Sequence, residues 1–219
     1  MTSIKLSERL QTIADLCEAG ILIDVGTDHA YLPCYLVQEG KCPRAYASDL
    51  REGPLERAKA HIAEYGLEGK VIPLLGAGLQ KAPKDAEIVV ISGMGYDNVK
   101  EILEAADITR YRQFVIQINR HTEFLRQYLS DHRYTITKER LVREDGRDYE
   151  IVSFTPDEGR PLSEEEILFG PCLLQDKSPE VGQYFRDLWE KEKKIAAVSG
   201  KGSSRRRADL LEKIIKERE

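Results

Sequence analysis

The chain has 219 residues, is 41% hydrophobic and 32% charged, and carries a formal net charge of −5. It is long enough for one ordinary domain with an appendage, and apolar enough for a buried core. No run of about eighteen apolar residues occurs, so no membrane-spanning helix is expected, and the net charge does not by itself advertise a nucleic-acid binder.

Residues 3–19 read as a helix. Ile4, Leu6, Leu10, Ile13, Ala14 and Leu16 recur at about 3.6-residue spacing, and Gly20 stands at its stop. Strands and helices then alternate. Strands are expected over 21–25, 44–48, 71–75, 87–92 and 114–118. Helices are expected over 32–39, 54–65, 98–105 and 123–130, the second with Pro54 in its first turn. The run Glu87-Ile-Val-Val-Ile-Ser92 is continuously apolar at its centre, as in a strand buried on both faces of a parallel sheet. Next, 134–141 alternates as a strand, Asp145-Gly146 marks a turn, and 149–155 is another strand, which together make an antiparallel hairpin.

Five parallel βα units and a terminal hairpin give a seven-stranded α/β sheet. Pro156-Asp-Glu-Gly-Arg-Pro161 is a boundary beyond which no strand signal appears. Ser163 with Glu166 forms a capping-box pattern. Residues 180–198 carry Val181, Phe185, Leu188, Trp189, Ile195 and Ala196 at helical spacing. Lys201-Gly-Ser-Ser-Arg-Arg-Arg207 reads as a turn, and Ala208, Leu211, Ile214 and Ile215 mark a last helix. The expected organisation is a sheet domain over 1–160 and a helical-hairpin domain over 161–219. The second segment holds twelve basic and twelve acidic residues, so all the net negative charge lies in the first.

The N-terminus, Met1-Thr-Ser-Ile-Lys5, has no apolar signal region, which points to the cytoplasm. Cys17, Cys34, Cys42 and Cys172 lack CxxC spacing and read as free thiols of a reduced compartment. With the four histidines equally scattered, no metal site is expected.

The turn after the first strand carries the most information. Ile21-Leu-Ile-Asp-Val-Gly-Thr-Asp-His-Ala-Tyr-Leu-Pro33 is a strand, a sharp turn and a helix start, the arrangement a doubly wound sheet uses to hold a cofactor. Asp28 and Ala30 occupy places where a dinucleotide fingerprint has glycines. A carboxylate there repels a pyrophosphate and suits a cofactor with positive charge, which disfavours a nicotinamide-dependent oxidoreductase. Asp24 and Gly26 end this strand. Asp49 follows the second strand, where an acidic residue accepts hydrogen bonds from ribose hydroxyls. Gly76-Ala-Gly78 and Ser92-Gly-Met-Gly-Tyr96 bring backbone close to whatever lies above the sheet. Asn119, ending the fifth strand, is either a positioning amide or a helix cap. Asp28 contacts either the cofactor or a substrate amino group, and His29 alone is as readily structural.

A seven-stranded order with a closing hairpin resembles the S-adenosylmethionine-dependent methyltransferases. At motif level the resemblance sharpens. Leu6-Ser-Glu-Arg-Leu10, Asp24-Val-Gly-Thr-Asp-His-Ala-Tyr-Leu-Pro33, Glu52-Gly-Pro54, Gly76-Ala-Gly-Leu79, Ser92-Gly-Met-Gly95, Gln117-Ile-Asn119 and Tyr149-Glu-Ile151 resemble, in order, the bacterial tRNA (adenine-22-N1)-methyltransferase family, TrmK. Three positions depart from the family pattern: Tyr96 replaces a glycine, Ile118 a proline, and Ala77 an Asn or Asp.

The resemblance implies S-adenosylmethionine as cofactor, tRNA as partner and methyl transfer to N1 of adenine 22. It implies cofactor contacts from Arg9, Asp24, Gly26, Asp28, His29 and Asp49, and from Leu50, Ala77, Gly78, Gly93 and Met94. Asp28 takes the place of the catalytic aspartate, with Asn119 as positioning amide. Tyr31 or Tyr96 is placed to stack on the target base. The 161–219 segment is expected to grip tRNA phosphates through Lys191, Lys193, Lys194 and Lys201, and through Arg205, Arg206 and Arg207. Removing it should abolish tRNA binding and spare cofactor binding. The competing readings are a methyltransferase acting on a small molecule or another RNA, and a non-catalytic tRNA-binding relative.

Overall fold

A computed structural model describes residues 3–199 and 202–218, so Lys201 of the expected basic set lies outside the described residues. In chain order the elements are α1 (Glu8–Leu16), β1 (Leu22–Val25), α2 (Tyr31–Gln38), β2 (Ala45–Asp49), α3 (Glu52–Glu64), β3 (Val71–Leu75), β4 (Ile88–Met94), α4 (Tyr96–Glu104), β5 (Gln113–Ile118), α5 (Thr122–Asp131), β6 (Tyr134–Glu144), β7 (Arg147–Glu158), α6 (Glu164–Phe169), α7 (Pro171–Gln175), α8 (Pro179–Ser199) and α9 (Gly202–Lys216). A short 3₁₀ turn, Ile108–Arg110, precedes β5.

The strands form one seven-stranded sheet in the order β3-β2-β1-β4-β5-β7-β6. The first five are parallel, and β7 inserts antiparallel between β5 and β6. The chain order reverses between β1 and β4, which pair side by side. A doubly wound sheet opens its ligand crevice at such a switch point. Strands β1, β2 and β5 are buried along their whole length. One apolar layer, with Ile13, Leu36, Ala58 and Ile62, covers one face; another, with Val99, Leu103, Leu125 and Leu129, covers the other. Burial on both faces is why these strands read as apolar runs rather than as alternation.

Several expected elements change. The first helix starts only at Glu8, because the Ser7 hydroxyl accepts the Leu10 N–H and caps it; Ile4 precedes it as a buried anchor whose N–H donates to Gln38 Oε1 at 3.1 Å. Five parallel strands are present, but no helix joins β3 to β4: that connection, with Gly76, Gly78 and Pro83, is made of turns. The hairpin strands run longer than expected, to Glu144 and from Arg147. Arg143 extends the ladder by a two-pronged pair with Asp148 at 2.7 and 2.9 Å. Asp145 and Gly146 both adopt positive φ, 51° and 71°, as a two-residue hairpin turn requires. Cys17, Cys34 and Cys42 are buried free thiols, and Cys172 is a half-buried one.

The C-terminal segment contains the expected capping box at Ser163 and Glu166. Residues 202–207, expected as a turn, are instead the opening turns of α9. Ser204, Ala208 and Leu211 are buried in that helix at i, i+4, i+7 spacing, and arginine is a good helix former, so tertiary packing turns a polar stretch into helix. Phe169, Leu173, Val181, Phe185, Leu211 and Ile214 form a third core, with Leu141 of β6 packed against it.

Beneath that core lies a buried charge network. Arg126 of α5 is fully buried; its Nε donates to Glu139 Oε1 at 2.7 Å, and its Nη2 lies 3.2 Å from Glu150 Oε2. The Tyr184 hydroxyl on α8 donates to Glu150 Oε1 at 2.9 Å. Glu139 Oε2 accepts the Cys172 N–H of α7 at 2.8 Å. Gly170, at φ +87°, sits against this pair: a Cβ there would meet Glu139 Oε2 at 2.6 Å and Arg126 Nη2 at 2.7 Å. The two segments are therefore joined by paired charges as well as by apolar contact, with Arg126 Nη1 and Nη2 making no hydrogen bond among the described residues.

Candidate active site

A cavity of about 530 Å³ opens at the C-terminal ends of β1, β2, β3 and β4. Val25, Gly26 and Asp28 form one side. Asp49, Leu50 and Arg51 form the next, and Gly76, Ala77, Gly78, Leu79 and Gln80 the third. Ser92, Gly93 and Met94, with Asn98, Glu101, Ile102 and Ala105, close it. The register that sets Val25 beside Ser48 and Ile91 brings these strand ends level. Of the residues expected to touch a cofactor, Gly26, Asp28, Asp49, Leu50, Ala77, Gly78, Gly93 and Met94 line the cavity.

Asp49 is buried, and its Oδ1 accepts the Arg51 N–H at 2.9 Å, which leaves Oδ2 for a diol. Gly26 has φ +81°, and a side chain there would run into the Met94 methyl. Gly78, at φ +51°, lies close enough to α4 that a Cβ would sit 3.0 Å from Ile102. Both glycines keep backbone open to the cavity where a side chain would fill it.

Three of the expected cofactor residues lie outside that lining. Asp24 is buried below the turn and accepts the Thr27 hydroxyl at 2.6 Å. Burial pushes its carboxyl up to about 6, against the Thr27 hydrogen bond and with help from the Asp49 charge. His29 belongs to a three-ring cluster with Tyr31 and His61, at centroid distances of 5.5 and 5.2 Å, and those two lie 4.7 Å apart. Arg9 reaches from α1 to Gln117 Oε1 at 2.6 Å and Ser92 Oγ at 3.2 Å.

Gln117 and Asn119 clamp the peptides on either side of Gly93, which holds φ +77°. The Gly93 N–H donates to Gln117 Oε1 at 3.1 Å, and Asn119 Nδ2 donates to the Gly93 carbonyl at 2.8 Å. Arg9 acts through the same amide. Asn119 thus fixes the β4 turn rather than lining the cavity. Gln117 is the residue whose part was not foreseen: an amide at a buried strand end is a readable signal, but its partner is not.

Asp28 sits at the cavity rim with φ +34°, between Gly26 and the left-handed Ala30 at φ +57°. A non-glycine residue in that region is strained, and such strain concentrates where function fixes it. Its side chain is 55% exposed; Arg57 of α3 bonds Oδ1, and His29 Nε2 lies 3.4 Å from Oδ2. The Arg57 hydrogen bond holds the Asp28 carboxyl below the usual carboxylate range. The Arg57 contact escaped the sequence reading, because it depends on α3 folding back over the turn.

The cavity fits S-adenosylmethionine. Its volume suits a nucleoside with a short side arm. Asp49 offers acceptors to ribose hydroxyls, and Asp28 and Glu101 line the wall with negative charge that suits a sulfonium. No group of three or more His, Cys, Asp or Glu side chains able to hold a metal occurs among the described residues.

A family model described as tRNA (adenine(22)-N(1))-methyltransferase matches residues 22–219. The chain belongs to the tRNA (adenine(22)-N(1))-methyltransferase family. It is similar to the Bacillus subtilis (strain 168) tRNA (adenine(22)-N(1))-methyltransferase, with 36% identity over 188 residues, 81% of this chain and 79% of that one. Mycoplasma capricolum TrmK, solved with S-adenosyl-homocysteine, superposes with a TM-score of 0.85 at 30% identity, covering 96% of this chain and 98% of that one. A Streptococcus pneumoniae structure in complex with S-adenosyl-L-methionine gives 0.88 at 29% identity, over 96% and 100%. This family member is accordingly an S-adenosylmethionine-dependent tRNA methyltransferase with the seven-stranded sheet of its class.

Within this methyltransferase the expected substrate residues scatter. Tyr31 and Tyr96 are the first residues of α2 and α4. Lys193 lies over the Trp189 ring at 3.4 Å and pairs with Glu190. Arg206 pairs with Glu164, and Arg207 with Glu123 and Glu192. Lys191, Lys194 and Arg205 are exposed and make no ion pair among the described residues. No helix among those residues is long and apolar enough to cross a membrane.

Proposed function

We propose that this chain methylates N1 of adenine 22 in tRNA, with Asp28 as the carboxylate that meets the target base. The observation carrying this reading is the placement of Asp28: strained, half-exposed and at the rim of the cavity that fits the methyl donor.

Bound S-adenosylmethionine supplies a methyl group on an electrophilic sulfonium. Adenine N1 carries a free lone pair, so no proton has to leave before attack, and alignment supplies most of the rate. Gly26, Gly78 and the clamped Gly93 let backbone approach the donor, and Asp49 holds its ribose. The methylated base gains positive charge, which spreads toward the N6 amino group. An ionised Asp28 beside that group stabilises the charge as it develops. Arg57 occupies Oδ1 and favours the ionised state, which leaves Oδ2 to the amino group. Because N1 lies on the pairing edge, the adenine must leave its stack to reach the rim. Lys191, Lys193, Lys194, Arg205, Arg206 and Arg207 are proposed to meet tRNA phosphates.

Unmodified tRNA transcripts, incubated with the protein and S-adenosylmethionine and then mapped by nucleoside mass spectrometry, should show 1-methyladenosine at position 22. Methylation elsewhere, or none, rejects the assignment. Asp28→Ala should lower kcat by roughly 10²-fold; full turnover in that variant rejects the role given to the carboxylate.

A further inference from the structure

Two aromatic rings stand among the exposed large hydrophobic side chains of the described residues, Tyr31 and Phe124. Phe124, in the first turn of α5, is 49% exposed and belongs to none of the cores. It has two ring neighbours: Tyr96, tilted at 52° with centroids 5.6 Å apart, and His121, stacked at 24° and 5.3 Å. His121 holds φ +64°, a conformation that a residue without a structural or functional reason avoids.

The rings stand just beyond the C-terminal ends of β4 and β5, the end of the sheet that holds the cavity. Tyr96 follows cavity-lining Met94 by two residues, and His121 follows Asn119, whose amide holds Gly93. Phe124 does not itself line the cavity. The aromatic group therefore stands beside the mouth, outside the place of the methyl donor.

Its surroundings mix both charges, with Glu123, Asp97, Glu104 and Asp131 near the rings as well as Arg120 and Arg207. Arg120 is exposed and has no ion-pair partner among the described residues. Arg207 of α9 reaches Glu123 Oε1 at 2.7 Å, and His121 Nδ1 lies 3.3 Å from the same oxygen. That chain of contacts ties the arginine-rich start of α9 to the helix turn that carries Phe124. An exposed apolar ring in a polar surround, with the unpaired Arg120 four residues before it, fits a stacked base on a polyanion better than an apolar protein surface.

We propose that Phe124, flanked by Tyr96 and His121, is a stacking shelf for an unpaired nucleobase of the tRNA at the mouth of the cavity. The proposal rests on the tRNA-methylating reading above. A base drawn out of its helix loses its stacking neighbours, and proteins that hold unpaired RNA bases replace them with aromatic faces. A phenyl ring has no hydrogen-bonding group, so the shelf reads planarity, and base identity is left to the rim.

The test uses the full chain. Phe124→Ala should lower kcat/KM for tRNA about fivefold or more, because one lost base–aromatic stack is worth at least that. Cofactor affinity and Tm should stay at wild-type values. Phe124→Trp should recover the activity and Phe124→Leu should not. Wild-type kcat/KM in Phe124→Ala overturns the shelf, and so does recovery by leucine, which would show bulk rather than stacking. Transcripts with 2-aminopurine at position 22, or at a neighbouring position, identify the base. Quenching at one of them that Phe124→Ala abolishes supports the shelf and says whether it takes the target or its neighbour; no quenching at any of them overturns it. Failure of the wild-type protein to methylate tRNA sinks the functional reading instead, and the fluorescence still reports on the shelf.

Discussion

Asp24 shows how a residue can stand at a strand end beside the crevice without lining the cavity. It ends β1 at the crevice, yet its carboxylate lies under the turn, bonded to Thr27 and pushed up to about 6 by burial. In the unfolded chain an aspartate titrates near about 3.9. A raised native value means the folded protein binds that proton more tightly, so Asp24 costs nothing below about pH 4 and its full penalty above about pH 6. Asp24→Asn should therefore raise unfolding free energy at pH 7.5 by on the order of 2–3 kcal/mol, since each pKa unit corresponds to about 1.4 kcal/mol. The gain should shrink at pH 4.5. Urea unfolding at the two values checks this, and an equal gain at both would show that desolvation of the charge is not the cause. Asp28 and Asp49 were legible because strand-end positions fix which side chains reach the crevice. Arg57 and Gln117 were not, because their contacts join residues 29 and 24 positions away, Asp28 and Gly93, through packing that no local pattern encodes.

Between elements, the decisive structure is the buried Arg126 network. It joins α5, β6, β7, α7 and α8 around charges with almost no solvent. Such a pair contributes little beyond an apolar replacement, but half of one is costly, because the remaining charge is left buried without its partner. Glu139→Ala should lose about 3–5 kcal/mol in chemical denaturation. The Arg126→Met, Glu139→Leu, Glu150→Gln triple variant, which leaves no unpaired charge in the network, should recover most of that loss. A cost below about 1 kcal/mol for the single change would mean that water reaches Arg126. The parallel strands were readable because burial on both faces leaves an uninterrupted apolar run, as in Ile88-Val-Val-Ile91. The start of α9 was not, because Gly202-Ser-Ser-Arg-Arg-Arg207 has turn composition and becomes helical only when Ser204 and Ala208 are buried against α8.

For the molecule as a whole, the network changes what truncation can reveal. Residues 161–219 supply the whole third core and cover Arg126 and Glu139, so deleting them would uncover Leu141 of β6 and strip partners from buried charges. Loss of tRNA binding in a truncated chain would then report instability as readily as a lost contact. Single exposed cations avoid this ambiguity. Lys194 and Arg205 are exposed, and removing them breaks no ion pair among the described residues. Phosphate contacts release counterions, and the slope of log K against log salt counts them. Lys194→Ala and Arg205→Ala should each weaken tRNA binding and flatten that slope by about one. S-adenosylmethionine affinity should be unchanged, because neither residue lines the cavity. Filter binding across a salt series measures the slope. A slope equal to wild type in both variants would turn the helical hairpin away from the RNA and leave the cations around Phe124, Arg120 foremost, to hold it.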